Sequence, residues 1–520
     1  MPTSATQFEK MQKAKTEEER ERFAYGFILE ALTQGLYPNA FDVLREYVQN
    51  AYDAILKHLR LFHQQDYKIK LNITGNSIFI SDNGIGMTLD QIKHYRMIGY
   101  SEKKLGEEAG FRGIGKIAGL SVAEKLIITS KARGETKRYT LSFDAQEMLT
   151  EILILKAQGK NKPFDDLIFD HTSLESRDDD RDNHYTIVEL HQIRDEFAAL
   201  LDLSRVRDYV RATCPVPFNP QFAFADQINR WLIGHVPDYL YIPHYVNDEA
   251  QYKPFTNEIL PPEFYPIKRD ENSEEAIAYA WSCGNTVESQ LPENGPRGLV
   301  FRLKNIAIGS SDLVRTLLWN VSGHLAYWYF GEIHIIDSAI VPTAERSNFE
   351  DNEARQRLAI RARSDVIVHL TRDARGRSGQ VNAIKRLNEL DSLVSNTELA
   401  LNREDVRREQ VVYETAKIVA AMEKARKTRS KLSKEQILKS DEVLSKAQEI
   451  VENFQRVVSE PSVARGIRDI KTQLQISDVE WKLYDLVLGV LQDYFTSSES
   501  TYVTVVRALQ DRMLEIYGKL

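Results

Sequence analysis

Apolar residues recur at two characteristic spacings in the first part of the chain. Between residues 42 and 57 they return every three or four positions, at Leu44, Val48, Ala51 and Ile55. This period predicts an amphipathic helix. Apolar residues then alternate with polar ones over 69–73 and again over 78–80, and Gly75 and Asn76 separate the two runs. Alternation on both sides of a short turn predicts a β-hairpin.

A glycine-rich segment and a polar segment follow the hairpin. The glycine-rich segment, 110–116, precedes an apolar run over 117–123 that predicts a helix and a run over 125–130 that predicts a strand. Between residues 155 and 185 most positions are polar or charged, and we expect a surface loop or insertion there. Its three consecutive aspartates, 178–180, are expected to form a solvated charge run rather than a metal site.

The middle of the chain, residues 196–365, differs in its proline content. Eleven of the 16 prolines lie between Pro215 and Pro296, and apolar, β-type runs follow at 298–309 and 327–341. Proline lacks the backbone N–H donor and disrupts helix interiors, so long helices are excluded here. We therefore expect a mixed α/β domain with long loops.

The last third of the chain has the opposite composition. Residues 380–460 contain neither Gly nor Pro, and charged residues interleave with apolar ones at a spacing that predicts long helices. At the end of the basic stretch 424–434, Ser433 and Gln436 form a capping-box pair that predicts the start of a new helix. Apolar residues of that helix occupy two positions of a seven-residue repeat, Ile437, Leu444, Val451 and Val458 on one and Ala447 and Phe454 on the other.

Two interpretations of this helical region are open: a bundle without a function of its own, or a coiled coil that joins two chains. The stretch 372–379, RDARGRSG, predicts a linker before it. Pro461 and Gly466 separate it from a helical tail to Leu520. The chain is therefore predicted to form three domains, over residues 1–195, 196–371 and 372–520.

Composition restricts the class of protein. The 520 residues include 68 Lys and Arg against 76 Asp and Glu, which gives a formal net charge of −8, and 42% are hydrophobic. This is typical of a soluble, multidomain protein and excludes collagen, wholesale disorder and a bare coiled coil. No run approaches the roughly 20 apolar residues that span a bilayer, and the first 23 residues lack the apolar core typical of a signal peptide. We expect a cytoplasmic protein whose two cysteines, Cys214 and Cys283, are buried and reduced.

Three segments carry candidate ligand-binding chemistry. On the 42–57 helix, Glu46, Asn50 and Asp53 lie opposite the apolar stripe, where they form either a solvated face or one wall of a ligand site. The segment SDNGIGM, 81–87, ends the hairpin, and its glycines permit positive φ and the close approach of a ligand. The segment GFRGIGK, 110–116, precedes a predicted helix, and the backbone N–H groups at such a position bind phosphate.

In this order and spacing, the three segments resemble the boxes of the GHKL ATPase superfamily, which includes gyrase B, HtpG-type heat-shock chaperones, histidine kinases and MutL. EYVQNAYDA resembles the first box, SDNGIGM the second, and GFRGIGKIAGLSVAEKLIITSK the last, especially that of MutL. The resemblance covers the first 195 residues and implies the Bergerat fold, an α/β sandwich that binds ATP with Mg²⁺. The middle region resembles the transducer domain of these proteins more loosely, and the layout is closest to MORC-like and HtpG-like ATPases.

The resemblance implies roles for individual residues. Glu46 is the candidate general base that polarises the water attacking the γ-phosphate. Asn50 offers an oxygen to Mg²⁺. Asp82 accepts a hydrogen bond from the exocyclic amine of adenine, which discriminates against guanine. Asp53 either binds within the pocket or positions the helix, and Thr186 resembles the strand threonine that supports the adenine site.

The other candidates are glycines and residues of a lid. The segment 98–110 is charged and flanked by glycines, which suits a lid over ATP. Within it, Ser101 and Lys103 resemble the Ser-x-Lys of MORC-type ATPases. Lys103, Arg112 and Lys116 either contact phosphate or are exposed charges. The remaining ATP-binding candidates are Gly84, Gly86, Met87, Gly110, Gly113 and Gly115.

One further catalytic candidate comes from the middle region. The segment PTAERSNF, 342–349, resembles a chaperone segment in which an arginine reaches the γ-phosphate, and this makes Arg346 the candidate. Lys304 is the next choice. The competing interpretation is that Arg346 is exposed and makes a surface salt bridge.

The whole pattern predicts a Mg²⁺-dependent ATPase that dimerises when ATP is bound and works as a molecular clamp. The phosphoacceptor helix of histidine kinases, the endonuclease motifs of MutL and an acidic topoisomerase module are not recognisable in the sequence. One hypothesis is that the homodimer acts on nucleic acid, in DNA maintenance or in defence against foreign DNA. The alternative is an HtpG-like chaperone that remodels a client protein, or an ATP-switched scaffold that signals to a partner protein.

Overall fold

The computed structural model describes residues 39–62, 66–97, 115–160, 162–257, 259–285, 290–293, 295–319, 323–401 and 408–459, together with Ser477 and Val487. The chain divides into two compact units, Met1–Arg375 and Gly376–Leu520. Within the described residues, no helix combines the length and the apolar character that crossing a membrane requires.

The first part of the first unit alternates helices and strands. In chain order its elements are α1 (Asp42–Phe62), β1 (Ile69–Thr74), β2 (Ser77–Asp82), α2 (Leu89–Tyr95), a 3-10 helix (Gly115–Ser121), β3 (Ala123–Lys131), β4 (Lys137–Asp144), α3 (Ala145–Ala157), α4 (Phe164–Asp170), β5 (Thr172–Asp178) and β6 (Tyr185–Ile193). These are followed by a 3-10 helix (Asp195–Leu201), α5 (Leu203–Thr213), α6 (Ala225–His235), β7 (His244–Val246) and β8 (Glu249–Gln251).

The first eight strands form one sheet in the order β5-β4-β3-β6-β2-β1-β7-β8. β1 and β2 form the predicted hairpin, in which Ile69 pairs with Asp82 and Thr74 with Ser77. β7 pairs with β1 in parallel, and the other neighbouring strands are antiparallel. The apolar stripe of α1, including Leu44 and Ile55, is buried in the core between helix and sheet. This arrangement confirms the expected α/β fold.

The second part of the first unit contains a second, smaller sheet. Its elements are β9 (Glu263–Lys268), β10 (Ala276–Gly284), β11 (Gly298–Leu303), β12 (Ile306–Ile308), α7 (Ser311–Leu318), a 3-10 helix (Gly323–Trp328), β13 (Tyr329–Ile335), α8 (Glu353–Ala362) and a π-helix (Arg363–Ile367). The strand order is β12-β11-β13-β10-β9. The helices α5 to α8 are 8 to 11 residues long. Short helices and a mixed sheet agree with the proline content of this region.

A buried ion cluster connects α5 to the second sheet. Glu332 on β13 accepts hydrogen bonds from Lys253, from Arg302 Nε at 2.8 Å and from Trp281 Nε1 at 3.3 Å. The Glu332, Lys253 and Arg302 side chains are at most 3% exposed. Arg302 also donates to the backbone carbonyls of 212–214, at the end of α5. Because a buried charge without a partner is strongly destabilising, this cluster fixes the end of α5.

The second unit is helical, as the sequence predicts. α9 (Val368–Leu401) ends in it, and α10 (Arg408–Thr428), a 3-10 turn (Arg429–Lys431) and α11 (Lys434–Ser459) follow. The predicted capping box starts α11: the Ser433 backbone N–H donates to Gln436 Oε1 (3.0 Å), and the Gln436 N–H donates to Ser433 Oγ (3.3 Å). The three helices share one apolar core, which includes Leu387, Leu390, Ile418, Met422, Leu444, Ala447 and Val451.

The heptad face of α11 therefore packs within its own chain where the side chains are described. Leu444, Ala447 and Val451 are buried against α9 and α10, and Ile437 packs against the same core. Phe454 and Val458 have no described side-chain environment. This arrangement supports the bundle interpretation over a coiled coil between chains for these positions.

Several local expectations are wrong. Residues 372–379 lie inside α9 and are not a linker, since Gly376 and Gly379 continue the helix. The apolar run after the glycine segment forms a 3-10 helix over Gly115–Ser121 because β3 begins two residues later. The segment 155–185 is not only loop: it contains α4 and β5, an edge strand whose backbone pairs with β4 while most of its side chains stay exposed. β7 and β8, which come from the predicted second domain, complete the first sheet.

Candidate functional site

The polar face of α1 is not a solvated face. Glu46 and Asp53 are 8% and 4% exposed, although both are carboxylic acids, and Asn50 is half-buried between them along the helix. A carboxylate removed from water needs a compensating partner. This burial supports the interpretation of the face as one wall of a ligand site.

Asp82 is a buried carboxyl group at the end of β2. Its Oδ1 accepts a hydrogen bond from the backbone N–H of Gly84, at 2.8 Å. Burial raises the pKa of Asp82 to about 7, and this one hydrogen bond lowers it only in part. The side chain thus lies in a dry environment, where a hydrogen bond to a ligand is stronger and more selective than in water.

Thr186 lies directly opposite Asp82 in the sheet. The two residues pair across β2 and β6. The Thr186 hydroxyl is 2.9 Å from the hydroxyl of Ser130, which accepts a hydrogen bond from the Met87 backbone N–H (2.9 Å). Ser130 therefore connects Met87 with Thr186, which in turn pairs with Asp82. Ser130 had no predicted role although it belongs to the Thr-Ser-Lys of the last box.

The glycines after β2 allow two backbones to approach closely. A Cβ atom on Gly84 would lie 2.6 Å from the carbonyl carbon of Ala54 on α1. Gly86 has a φ of +69°, and a Cβ atom there would lie 1.9 Å from the carbonyl oxygen of Lys131. Real Cβ contacts are never this short, so both positions require glycine.

Lys131 has a buried ammonium group that sequence analysis did not identify. Its Nζ donates to the carbonyls of Ala132 (2.8 Å) and Glu135 (2.7 Å), and it is also within 3.3 Å of the Asn183 carbonyl. These contacts fix the backbone against which Gly86 packs. His184 acts similarly: its Nδ1 is 2.8 Å from the Gly84 carbonyl, and its ring stacks on His58 at 4.1 Å.

Glu46 lies against the described end of the glycine-rich segment. A Cβ atom on Gly115 would be 2.2 Å from Glu46 Oε2, so a larger residue there would displace this carboxylate. Lys116 follows, and its Nζ donates to the His94 carbonyl at 3.1 Å. Burial lowers the pKa of Lys116 to about 8. Lys116 is thus not simply an exposed lid charge.

Arg346 reaches the same carboxylate from the second part of the unit. Its Nε is 3.3 Å from Glu46 Oε1, and the residue is 5% exposed. Arg45 lies beside this pair: its Nη2 donates to the Glu345 carbonyl (2.9 Å) and its Nη1 is 3.1 Å from Asp42 Oδ1. Arg346 is therefore buried next to the candidate base, and the surface salt bridge is excluded in this structure.

Lys304, the second choice for this role, has a different environment. Its Nζ is 3.5 Å from Asp238 Oδ2, which also binds Arg60 at 2.6 Å. Of the two cations, Arg346 is the one in contact with Glu46.

The other predicted residues lie outside the described part of the chain. Ser101, Lys103, Gly110, Arg112 and Gly113 all fall within 98–114, and their predicted contacts with ATP stay predictions.

The oxygen atoms of the site are compatible with a Mg²⁺ ion that is bound partly by the protein and partly by a substrate. Within the described residues, no group of three or more acidic, His or Cys side chains could hold a metal ion alone. Mg²⁺ commonly binds through one or two protein oxygens together with phosphate oxygens and water. Asn50, one helical turn after Glu46, offers one such oxygen, so the ligand set would be completed by a phosphate substrate.

Comparison with known proteins supports this interpretation. Residues 39–172 match the family described as histidine kinase-, DNA gyrase B- and HSP90-like ATPase. This span includes the described parts of the three boxes that carry the resemblance.

Individual relatives are chaperone proteins named HtpG. The chain is 33% identical over 140 residues to that of Borreliella burgdorferi, with 23% of each chain covered. It is 28% identical over 174 residues to that of Chromobacterium violaceum, with 27% of each covered, and 30% identical over 174 residues to that of Clostridium perfringens, with 27% and 28% covered. The chain thus matches about a quarter of the length of these relatives.

We predict that Gly86→Ala destabilises the first unit more than Gly134→Ala does. Both glycines have positive φ, +69° and +85°, so alanine is strained at both positions by about 1–2 kcal/mol. Only at Gly86 does the added methyl group collide with backbone, since nothing lies within 4 Å of a Cβ atom at Gly134. The collision is expected to add about 1–3 kcal/mol. Thermal unfolding of the two variants, followed by circular dichroism, measures the difference; equal effects would contradict the close approach at Lys131.

Proposed function

Because residues 39–172 match the histidine kinase-, DNA gyrase B- and HSP90-like ATPase family, we propose that this chain is a Mg²⁺-dependent ATPase that hydrolyses ATP to ADP and phosphate. One observation carries the proposal: α1 holds a buried carboxylate, Glu46, in direct contact with Gly115 at the end of the glycine-rich box. In this geometry the base is next to the segment expected to bind phosphate.

The adenine end of ATP is assigned to Asp82. Its carboxylate is buried at the end of β2, and its Oδ1 already accepts one hydrogen bond from Gly84. The second oxygen is available to accept from the exocyclic amine of adenine, whereas guanine presents a carbonyl oxygen at that position and would be repelled. Ser130 and Thr186 support the adjoining backbone of Met87.

The phosphate end is assigned to Glu46 and Asn50. Glu46 would orient the attacking water and accept its proton, and Asn50 would hold Mg²⁺ together with the phosphate oxygens. When bound, the metal ion would neutralise charge that develops on the phosphate oxygens. Burial of Glu46 excludes bulk water from the base, which strengthens its electrostatic interactions.

Arg346 is assigned to the γ-phosphate in the ATP-bound state. In the structure it contacts Glu46, so a short movement of its guanidinium would bring it to a phosphate next to that carboxylate. A positive charge placed there would stabilise the charge of the transition state. The same movement would remove the nearer of the two arginines at Glu46 Oε1 and leave Arg45, whose Nη2 is 3.7 Å away, so that the carboxylate is less restrained and able to act on water.

We further propose that ATP binding closes a homodimer into a clamp on nucleic acid, as the sequence resemblance to MORC-type and MutL-type ATPases suggested. The alternative is a chaperone that remodels a protein, or a scaffold that signals to one. This alternative is favoured by the similarity to proteins named HtpG, which covers the ATPase region. A DNA-binding assay with and without a non-hydrolysable ATP analogue separates the two.

Replacement of Glu46 by Ala is expected to abolish turnover while ATP still binds. The loss should be on the order of 10²–10⁴-fold, the usual contribution of a positioned general base. Hydrolysis is followed by phosphate release and binding by calorimetry with a non-hydrolysable analogue. Glu46→Gln keeps the size of the side chain and should show the same loss. Normal turnover in either variant would remove Glu46 from the mechanism.

Arg346→Ala is expected to lower turnover by about 10²-fold with nearly unchanged ATP affinity, because a group that acts mainly in the transition state contributes little to ground-state binding. Lys304→Ala, the equivalent change at the second candidate, is measured beside it. If Lys304→Ala is the slower enzyme, the two assignments must be exchanged. Faster turnover in Arg346→Ala would show instead that Arg346 only restrains Glu46.

ATP affinity is expected to depend on the ionisation of Asp82. Its pKa of about 7 in the nucleotide-free protein means that the carboxylate, which accepts from adenine, is lost as the pH falls through 7. The affinity should therefore fall by about tenfold between pH 8 and pH 6. In Asp82→Asn, binding should be weaker than in the wild type by about 1–3 kcal/mol at pH 8 and by less at pH 6, where the wild-type carboxyl is itself mostly protonated, so the part of the pH dependence due to Asp82 should disappear. Equal pH profiles for the two proteins would contradict the assignment.

A further inference from the structure

Two segments of the helical unit are rich in positive charge. Residues 376–386, on α9, contain Arg377, Lys385 and Arg386, and residues 424–434, from the end of α10 to the start of α11, contain six further Lys and Arg. Neither segment contains Asp or Glu. This is unusual for a chain with a formal net charge of −8.

Packing brings the two segments together. A Cβ atom on Gly379 would lie 2.9 Å from Lys431 Cδ, so the aliphatic part of Lys431 crosses α9 where that helix has no side chain. Nearby, Gln380 Nε2 donates to Gln436 Oε1 at 3.1 Å. The nine cations thus gather at one end of the helical unit, which we call the basic tip, defined as residues 376–386 and 424–434.

Most of these cations face solvent. The six exposed residues are Lys385, Lys424, Arg426, Lys427, Lys431 and Lys434. Arg429 forms a bidentate ion pair with Asp441, at 2.6 and 2.7 Å. The adjacent acidic residues are Glu423, Glu435 and Asp441, too few to neutralise the tip.

We propose that the basic tip binds the phosphate backbone of double-stranded nucleic acid. At physiological salt, dissolved ions screen charges that lie more than about 8 Å apart. The acidic residues elsewhere in the chain therefore contribute little at the tip, and the local excess of cations determines what binds there. Closely spaced phosphates carry condensed counterions, which are released when several protein cations bind at once. This release is the main source of a protein's affinity for a nucleic-acid backbone.

The chemistry of the tip favours duplex backbone over other anionic partners. Neither segment contains an aromatic residue on which the bases of a single strand could stack. The apolar residues of 424–434, Ala425 and Leu432, are buried in the core of the helical unit, so this segment presents no apolar face to a membrane surface. The contacts are therefore expected to be independent of base sequence.

This inference specifies the surface through which the proposed clamp would bind nucleic acid, but it does not depend on ATP hydrolysis.

The test uses the full chain without nucleotide and two fluorescent 20-base-pair DNA duplexes of unrelated sequence, titrated over a range of salt concentrations. The variant is Lys424→Gln/Lys427→Gln/Lys431→Gln. The matched control, Lys137→Gln/Lys160→Gln/Lys446→Gln, removes the same charge from three exposed lysines outside the tip.

The wild-type protein should bind both duplexes alike, with affinity falling steeply as salt rises. The tip variant should lower the slope of log affinity against log salt by about 3 and weaken binding on the order of 10²-fold at 0.1 M salt. The control variant should bind as the wild type does. No duplex binding by the wild type, or equal losses in the two variants, would overturn the proposal.

Two further measurements define the partner and separate this proposal from the ATPase. Polyglutamate as a competitor at equal charge should displace the duplex poorly; equal competition would identify an acidic protein as the partner and overturn the assignment to nucleic acid. Basal ATP turnover, measured in all three proteins, should be the same, because no tip residue belongs to the site around Glu46. A wild type that binds DNA without hydrolysing ATP would refute the ATPase and leave the basic tip intact.

Discussion

The removal of charged side chains of α1 from water is the constraint on which the first unit depends. Glu46 and Arg45 are 8% and 4% exposed, and an unpaired buried charge costs several kcal/mol. Their partners are therefore held in place. Arg45 pairs with Asp42 of the same helix and donates to the Glu345 carbonyl. Glu46 pairs with the Arg346 guanidinium, which comes from the second part of the unit. Arg346 has a φ of +55°, a costly conformation for a residue with a side chain, which persists because its surroundings fix it.

Contacts with α1 connect the second sheet region to the site in more than one place. One turn and a half beyond Glu46, the Tyr52 hydroxyl donates to the Leu240 carbonyl, which also accepts from Asn305 Nδ2. The Glu332 cluster fixes the end of α5, the helix that leaves the first sheet. In the proposed mechanism, ATP that attracted Arg346 away from Glu46 would change the availability of this carboxylate and the contact between the two parts of the unit in one step. This is a physical basis for linking hydrolysis to a change of shape.

The elements that could be predicted from the sequence are those that depend on the spacing of neighbouring residues or on a short motif. The α1 stripe, the β1–β2 hairpin and the Ser433 capping box depend on neighbouring residues, and all three were predicted. β7 could not be predicted, because a three-residue strand is defined by its parallel pairing with a distant strand. The role of Ser130 was missed for the same reason, since its partners Met87 and Thr186 come from elsewhere in the sequence. Lys131 was missed because a strand pattern does not show that the side chain donates to carbonyls just after the strand. Glycines at 376 and 379 suggested a linker, but tertiary packing overrides the helix propensity of single residues.

The helical unit changes how a clamp could work. The described heptad positions of α11, Ile437, Leu444, Ala447 and Val451, pack against α9 and α10, so they cannot also join two chains unless this core opens. Packing these apolar positions inward leaves a charged exterior, and its positive part is concentrated at the basic tip. Two chains bound to one duplex through their tips would be held close together, and their effective concentration would rise without a coiled coil. In the proposed clamp, nucleic acid would then promote the ATP-dependent contact that closes around it.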